Sequence, residues 1–166
     1  MPATRRRLLL AALAVPLLAA CGFQLRGAQP LPFSSIHLGT GEFTELSSAL
    51  KRQVEASGNA QVVSNPAEAE VRLEVLKDTR AREITSLNSA GKVREFELRR
   101  AFDFRLVDRS GAERIPRTSL LIKRTLTFSD TEVLAKEQEE ALLYKEMDTD
   151  LVRQLIRRLA AAQPAR

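Results

Sequence analysis

Apolar residues in this chain repeat at intervals of four and of two, and the changes between those intervals mark out its elements. Ile36 and Leu38 fall on one side of a short extended stretch over residues 34–38, with His37 on the other. After Gly39 and Gly41 the interval lengthens. Leu46, Leu50 and Val54, widened by Phe43 and Ala49, form the stripe of an amphipathic helix. Gly58 and Asn59 suit the left-handed conformation that closes a helix, so it is predicted to stop near Ser57. A short extended piece over residues 61–63 is cut off by Asn65 and Pro66.

The interval then becomes two. Val71, Leu73 and Val75 alternate with Glu70, Arg72 and Glu74, predicting a half-buried strand that runs on less regularly towards Leu87. Turn chemistry at Asn88, Ser89, Ala90 and Gly91 precedes a second strand. There Phe96, Leu98, Phe102, Phe104 and Leu106 share one face, and Glu97, Arg99, Asp103 and Arg105 the other. A second turn, over residues 108–111, leads to Leu120, Ile122, Leu126 and Phe128 alternating with Ser119, Lys123, Thr125 and Thr127. Arg100 and Arg124 interrupt the apolar faces of these strands. Burying an unpaired guanidinium is costly, so both are expected near the sheet margin or beyond a bulge that flips the alternation; the alternative is that they face an anionic ligand or the wall of a partner.

Ser129 and Glu132 have the spacing of a capping box, and no glycine or proline follows until the tail. Tyr144, Met147, Leu151, Leu155 and Leu159, supported by Leu143, Val152 and Ile156, mark one stripe of a long helix. Lys136, Glu139, Lys145, Asp148 and Arg157 occupy the remainder, and a bend or break is expected near the middle. Three long strands with short connections make an antiparallel meander whose apolar face needs a cover, which the two helices supply. The expected fold is therefore α+β: a two-layer sandwich of a mainly antiparallel four-stranded sheet with two helices packed on one face. It forms a single domain over residues 33–161, followed by a frayed tail at 162–166.

The N-terminus has a different pattern. Arg5, Arg6 and Arg7 precede an apolar run from Leu8 to Ala20, the layout of a secretory signal over residues 1–20. That run is too short to cross a bilayer core of roughly 30 Å, which takes ~20 helical residues. Cys21, the single cysteine of the chain, stands at the cut with no second cysteine to pair with, and its thiol is available for acylation. Leu18, Ala19, Ala20 and Cys21 match the bacterial lipobox at every position, which implies a lipidated Cys21 at the mature terminus. More than one acyl chain there holds a protein stably on a membrane. The plainer alternative is an ordinary secretory signal with an incidental cysteine. Gly22, Gly27, Pro30 and Pro32 make residues 21–32 a tether.

The formal charge of +5 shrinks once Arg5, Arg6 and Arg7 are set aside with the signal, so the mature chain is close to neutral. Tryptophan is absent and Tyr144 is the single tyrosine, which argues against a nucleic-acid partner. Catalysis finds little support either. His37 has no nucleophile at a known spacing, and one histidine with an acylated cysteine cannot build a zinc site, so neither a metal nor another cofactor is expected. Glu68 and Glu70 read as residues of solvated strand faces.

Cys21, Gly22, Phe23, Gln24, Leu25, Arg26 and Gly27 resemble the mature start of the lipopolysaccharide-assembly lipoprotein family LptE, also called RlpB. Leu134-Ala135-Lys136, Tyr144-Lys145-Glu146-Met147 and Gln154-Leu155-Ile156-Arg157-Arg158-Leu159 continue the likeness. The resemblance implies a non-enzymatic protein of the outer membrane. It would be lipid-anchored on the periplasmic side, would bind lipopolysaccharide (LPS), and would plug the lumen of the LptD β-barrel while supporting that barrel's assembly. Gly22, where an aspartate would resemble the inner-membrane retention signal, implies the same sorting. The family's basic position near the start of the second helix corresponds to Lys136. A second basic position, at a strand tip, falls on Ser89, where this sequence departs from the pattern; Lys92 and Arg94 are the candidates to replace it. Two other function classes stay open: a lipoprotein subunit of an ABC-type envelope lipid transporter, and an enzyme acting on envelope polymers.

Overall fold

A computed structural model describes residues 29–41, 44–129 and 131–162. The signal segment, Cys21, Phe43 and the last residues of the tail lie outside the described residues. The elements are strand β1 (Ser35–Leu38), helix α1 (Glu45–Ala56), strands β2 (Gln61–Val62), β3 (Val71–Leu87), β4 (Val93–Asp108) and β5 (Glu113–Thr127), and helix α2 (Val133–Ala160). They form one sheet of order β2-β1-β3-β4-β5. The sheet therefore has five strands where four were expected, because the short piece at Gln61–Val62 pairs in parallel with Ser35 and Ile36. β1 also runs parallel to β3, while β3, β4 and β5 form the expected antiparallel meander.

Both helices lie on the same side of the sheet. Leu46, Leu50 and Val54 of α1 join Ile36 and Leu73 in the core, and Met147, Leu151, Leu155 and Leu159 of α2 join Phe102, Phe104 and Leu106. The core begins at Leu31, whose backbone N–H and carbonyl are both held by the Asn59 side chain, at 3.0 and 2.6 Å. Helix α1 starts on a capping box: Thr44 Oγ1 accepts from the Ser47 N–H, and Ser47 Oγ accepts from the Thr44 N–H. A serine at the third position does the work usually done by Glu or Gln. The anticipated box at the second helix does not form. Ser129 Oγ meets Thr131 Oγ1 instead, and α2 starts at Val133 without a side-chain cap. From there it is one continuous helix, with no break.

The turn of the β4–β5 hairpin follows its sequence. Asp108 Oδ1 accepts from the Ser110 and Ala112 N–H groups, and Gly111 adopts φ 88°, where a side chain would be strained. Strand β3 shifts register between Val75 and Lys77. Past that bulge its helix-facing residues are Asp78, Arg80, Arg82 and Ile84, paired with Phe102, Arg100, Leu98 and Phe96 of β4. The bulge thus lies in β3 and leaves β4 unbroken at Arg100. Arg100 sits mid-strand in an interior strand and is only 3% exposed, contrary to the expectation of a marginal position. Arg124 is on the edge strand β5, paired with Asp150 at 2.6 Å. Glu70 is also placed otherwise than expected, its carboxylate accepting from both the N–H and the hydroxyl of Ser34.

Leu151 is fully buried between α2 and the sheet, so Leu151→Ala should cost about 2–5 kcal/mol of unfolding free energy in a urea titration. Gly39 allows β1 to meet β3 closely, since a Cβ there would lie 2.5 Å from the Leu73 carbonyl oxygen. Gly39→Ala should destabilise by about 1–3 kcal/mol in the same assay. The Ser34 N–H foremost, helped by the Ser34 hydroxyl and opposed by desolvation, holds the Glu70 carboxyl below its ordinary value of 4.5. Arg117 and Ser119 do the same for Asp103. Because these folded-state values are depressed, their stabilisation is complete above the ordinary values and lost as pH falls through the lowered ones. Urea midpoints should therefore hold steady from neutral pH to about pH 5 and fall below pH 4, less steeply in Glu70→Gln.

Candidate functional site

The hairpin joining β3 and β4 and the first turns of α2 come together at one end of the sandwich. The hairpin turn is organised by Asn88, whose Oδ1 accepts from the N–H groups of Ala90 and Lys92, with Gly91 at φ 75°. Ser89, Lys92 and Arg94 are exposed in and beside this turn. The Arg94 carbonyl accepts from the Phe128 N–H at 2.8 Å, which draws the end of β5 against the hairpin. Phe128 stacks edge-on against Phe96 at 5.4 Å, and the Arg82 guanidinium lies over the Phe96 ring, 4.6 Å from its centre.

Helix α2 reaches the same place. Arg82 donates to Glu140 at 2.8 Å, and Lys136 lies one turn before Glu140. The Lys136 ammonium is paired with Glu139 at 2.8 Å. This end also carries most of the large apolar side chains that the core leaves uncovered: Ile84 and Leu87 from the hairpin, Val133, Leu134 and Leu142 from the helix, with Leu76 and Leu121 lying elsewhere. Leu134 is 70% exposed. Cations beside apolar side chains make an amphipathic surface, suited to a ligand that carries anionic groups next to hydrocarbon.

Behind that surface runs a polar seam. Arg100 Nε donates to Asp148 Oδ1 at 2.7 Å, and its Nη1 donates to Asp78. Asp148 also accepts from Arg80. Burial works against the Arg100 charge, but hydrogen bonds to Asp78 and Asp148 outweigh it and raise the guanidinium above its ordinary range. Tyr144 Oη donates to the Ala81 carbonyl at 2.9 Å, in a stretch of β3 that β1 does not reach. Burial, followed by the charge of Glu140, raises the Tyr144 hydroxyl above its ordinary value, so it stays a donor.

Lys92, Arg94 and Lys136 lie towards the same end of the sheet. Sequence reasoning misses the seam. Asp148, expected on the solvated side of α2, is 8% exposed on the buried stripe. The available signal was its spacing, four residues after Tyr144 and three before Leu151, opposite the anomalous Arg100. A cleft of about 620 Å³ lies elsewhere, against β1, lined by His37, Thr40, Ser47, Lys51 and Val63 among others. His37 Nδ1 sits 3.2 Å from the Val63 carbonyl, a link between strand ends. Among the described residues no group of three His, Cys, Asp or Glu side chains gathers to hold a metal, and no helix is long and apolar enough to cross a membrane.

Residues 33–159 match the family model described as LptE: Lipopolysaccharide-assembly. The LPS-assembly lipoprotein LptE of Pectobacterium atrosepticum is 27% identical over 151 residues, covering 89% of this chain and 80% of that protein. A solved lipoprotein B from Nitrosomonas europaea is similar at 36% identity and a TM-score of 0.71, covering 84% of this chain and 91% of that one. A minor lipoprotein from Acinetobacter baumannii gives 28% identity and a TM-score of 0.64, covering 81% of this chain and 100% of its own.

Proposed function

Because the chain belongs to the LptE lipopolysaccharide-assembly family, a family of non-enzymatic envelope lipoproteins, we propose that it binds LPS at its hairpin end and plugs the lumen of the LptD barrel. Its role in LPS assembly comes with the family. The finer reading is supported chiefly by one observation: Lys92, Arg94 and Lys136 stand at the same end as the uncovered Ile84, Leu87, Val133 and Leu134. Lipid A is an anionic headgroup on acyl chains, and this surface offers donors for phosphate beside apolar contacts for chain carbon. The ammonium of Lys136 exchanges a neighbouring carboxylate for a phosphate, and the exposed Glu139 returns to water. Cys21, acylated, moors the domain to the periplasmic side of the outer membrane.

The sheet supports the plug reading in a second way. Its helix-free face carries ion-paired rows, Arg99 with Glu83 and Glu97, Arg105 with Glu74 and Glu113, and Arg117 with Asp103. A polar, internally neutralised wall suits the hydrated interior of a barrel better than it suits lipid.

Lys136→Ala should weaken LPS binding about threefold, and Lys92→Ala, Arg94→Ala and Lys136→Ala together by more than about tenfold, with secondary structure unchanged. Wild-type binding should weaken with rising salt, and the triple variant should lose most of that dependence. A titration showing equal affinity for both proteins overturns the assignment of these cations. Depletion of the protein should leave LptD misassembled, and pull-down from solubilised outer membranes should recover the barrel. Recovery of an inner-membrane transporter alone overturns the plug reading.

A further inference from the structure

We propose that Asp78, Arg100, Asp148 and Arg80 form a latch that positions the LPS site, with Arg100 as the central positioning residue. The inference rests on the reading that the hairpin end contacts LPS. It begins from a contrast within α2. From Tyr144 onwards the helix is fixed by apolar packing, through Met147, Leu151, Val152, Leu155 and Leu159. Before Tyr144 no side chain is buried. The arm that carries Lys136 therefore touches the core only through the partly buried Leu143 at its base, and no core contact sets its direction beyond that point.

What holds the arm is polar and lies at its root. The planar guanidinium of Arg100 grips Asp148 of the helix with one edge and Asp78 of β3 with another nitrogen, and Arg80 closes on Asp148 from the solvent side. Such bonds are directional, so they fix an angle that apolar contact leaves loose. The two structural arms that leave this latch are similar in length. The strand from Arg100 to Arg94 extends about 20 Å, and the helix from Asp148 to Lys136 rises about 18 Å. Over that lever a tilt of about 10° at Asp148 moves Lys136 by about 3 Å, the difference between a phosphate contact and none. Arg82 with Glu140, and Tyr144 with the Ala81 carbonyl, act as secondary ties along the same arm.

The decisive variant is Arg100→Met with Asp148→Leu, which replaces the buried pair by apolar side chains of similar volume and is compatible with folding. Binding of purified LPS to the full mature protein is measured well below the unfolding temperature, alongside amide exchange of α2. The expected result is a loss of about tenfold in affinity, with faster exchange confined to residues 133–143. A folded variant that binds LPS within about twofold of wild type overturns the latch, whatever its stability. Should the double variant fail to fold, Asp78→Asn carries the test, because it weakens only the half-exposed limb; a loss of about threefold is expected and unchanged affinity overturns the proposal. A wild-type protein that does not bind LPS overturns the functional reading instead. Exchange then decides the latch alone, and acceleration spread evenly over the domain, rather than confined to 133–143, overturns it.

Discussion

A guanidinium set in the middle of an apolar sheet face obliges a carboxylate to come to it, and in this protein that obligation fixes how the second helix lies on the sheet. Arg100 is flanked on its face by Leu98 and Phe102 and has almost no contact with water. Left unpaired, it would destabilise the fold by several kcal/mol on the scale of buried charges. Asp148 meets it from α2, set between the buried Met147 and Leu151. The helix is thus clamped by packing from Tyr144 onwards and, within that packed stretch, by the charge pair at Asp148.

That division explains the asymmetry of the molecule. At the end where β1 and β2 join the sheet, Leu31, Phe33, Ile36, Leu50, Val54 and Leu73 close a dry core. Beyond the β3 bulge, the helix-facing residues of β3 turn charged, no strand among the described residues pairs with its far edge, and the arm of α2 stands over it with polar ties. The uncovered Ile84, Leu87, Leu134 and Leu142 there add nothing to the buried core. Gathered beside Lys92, Arg94 and Lys136, they make the region proposed to receive a lipid with anionic headgroups.

Most of the architecture was legible because strand and helix spacings were clean. Phe96 to Leu106 keep strict alternation, and Leu46, Leu50 and Val54 keep a strict interval of four, so burial follows from position alone. The two-residue strand β2 was visible only as an extended piece, since its pairing with Ser35 and Ile36 is a tertiary fact. The capping box at Ser129 failed because cap residues signal a start only when the backbone arrives at the right angle; here the chain still follows β5 through the Phe128 bond to Arg94. Arg100 is anomalous in the sequence itself, but its partner lies on a helix distant along the chain. The spacing of Asp148 puts it on the apolar stripe of α2 but does not say which strand it faces, and the bulge that brings Asp78 into reach sits on a different strand.

The central claim is that the hairpin end, and not the open sheet face, receives the lipid. It is tested most directly by placing a photo-crosslinking residue in turn at Ile84, Leu134 and Leu121 in living cells and probing each product for LPS. Leu121 is as exposed as Ile84 but lies on the helix-free face of β5. The account predicts LPS adducts at Ile84 and Leu134 and none at Leu121. Adducts at Leu121 with none at the other two positions would contradict it.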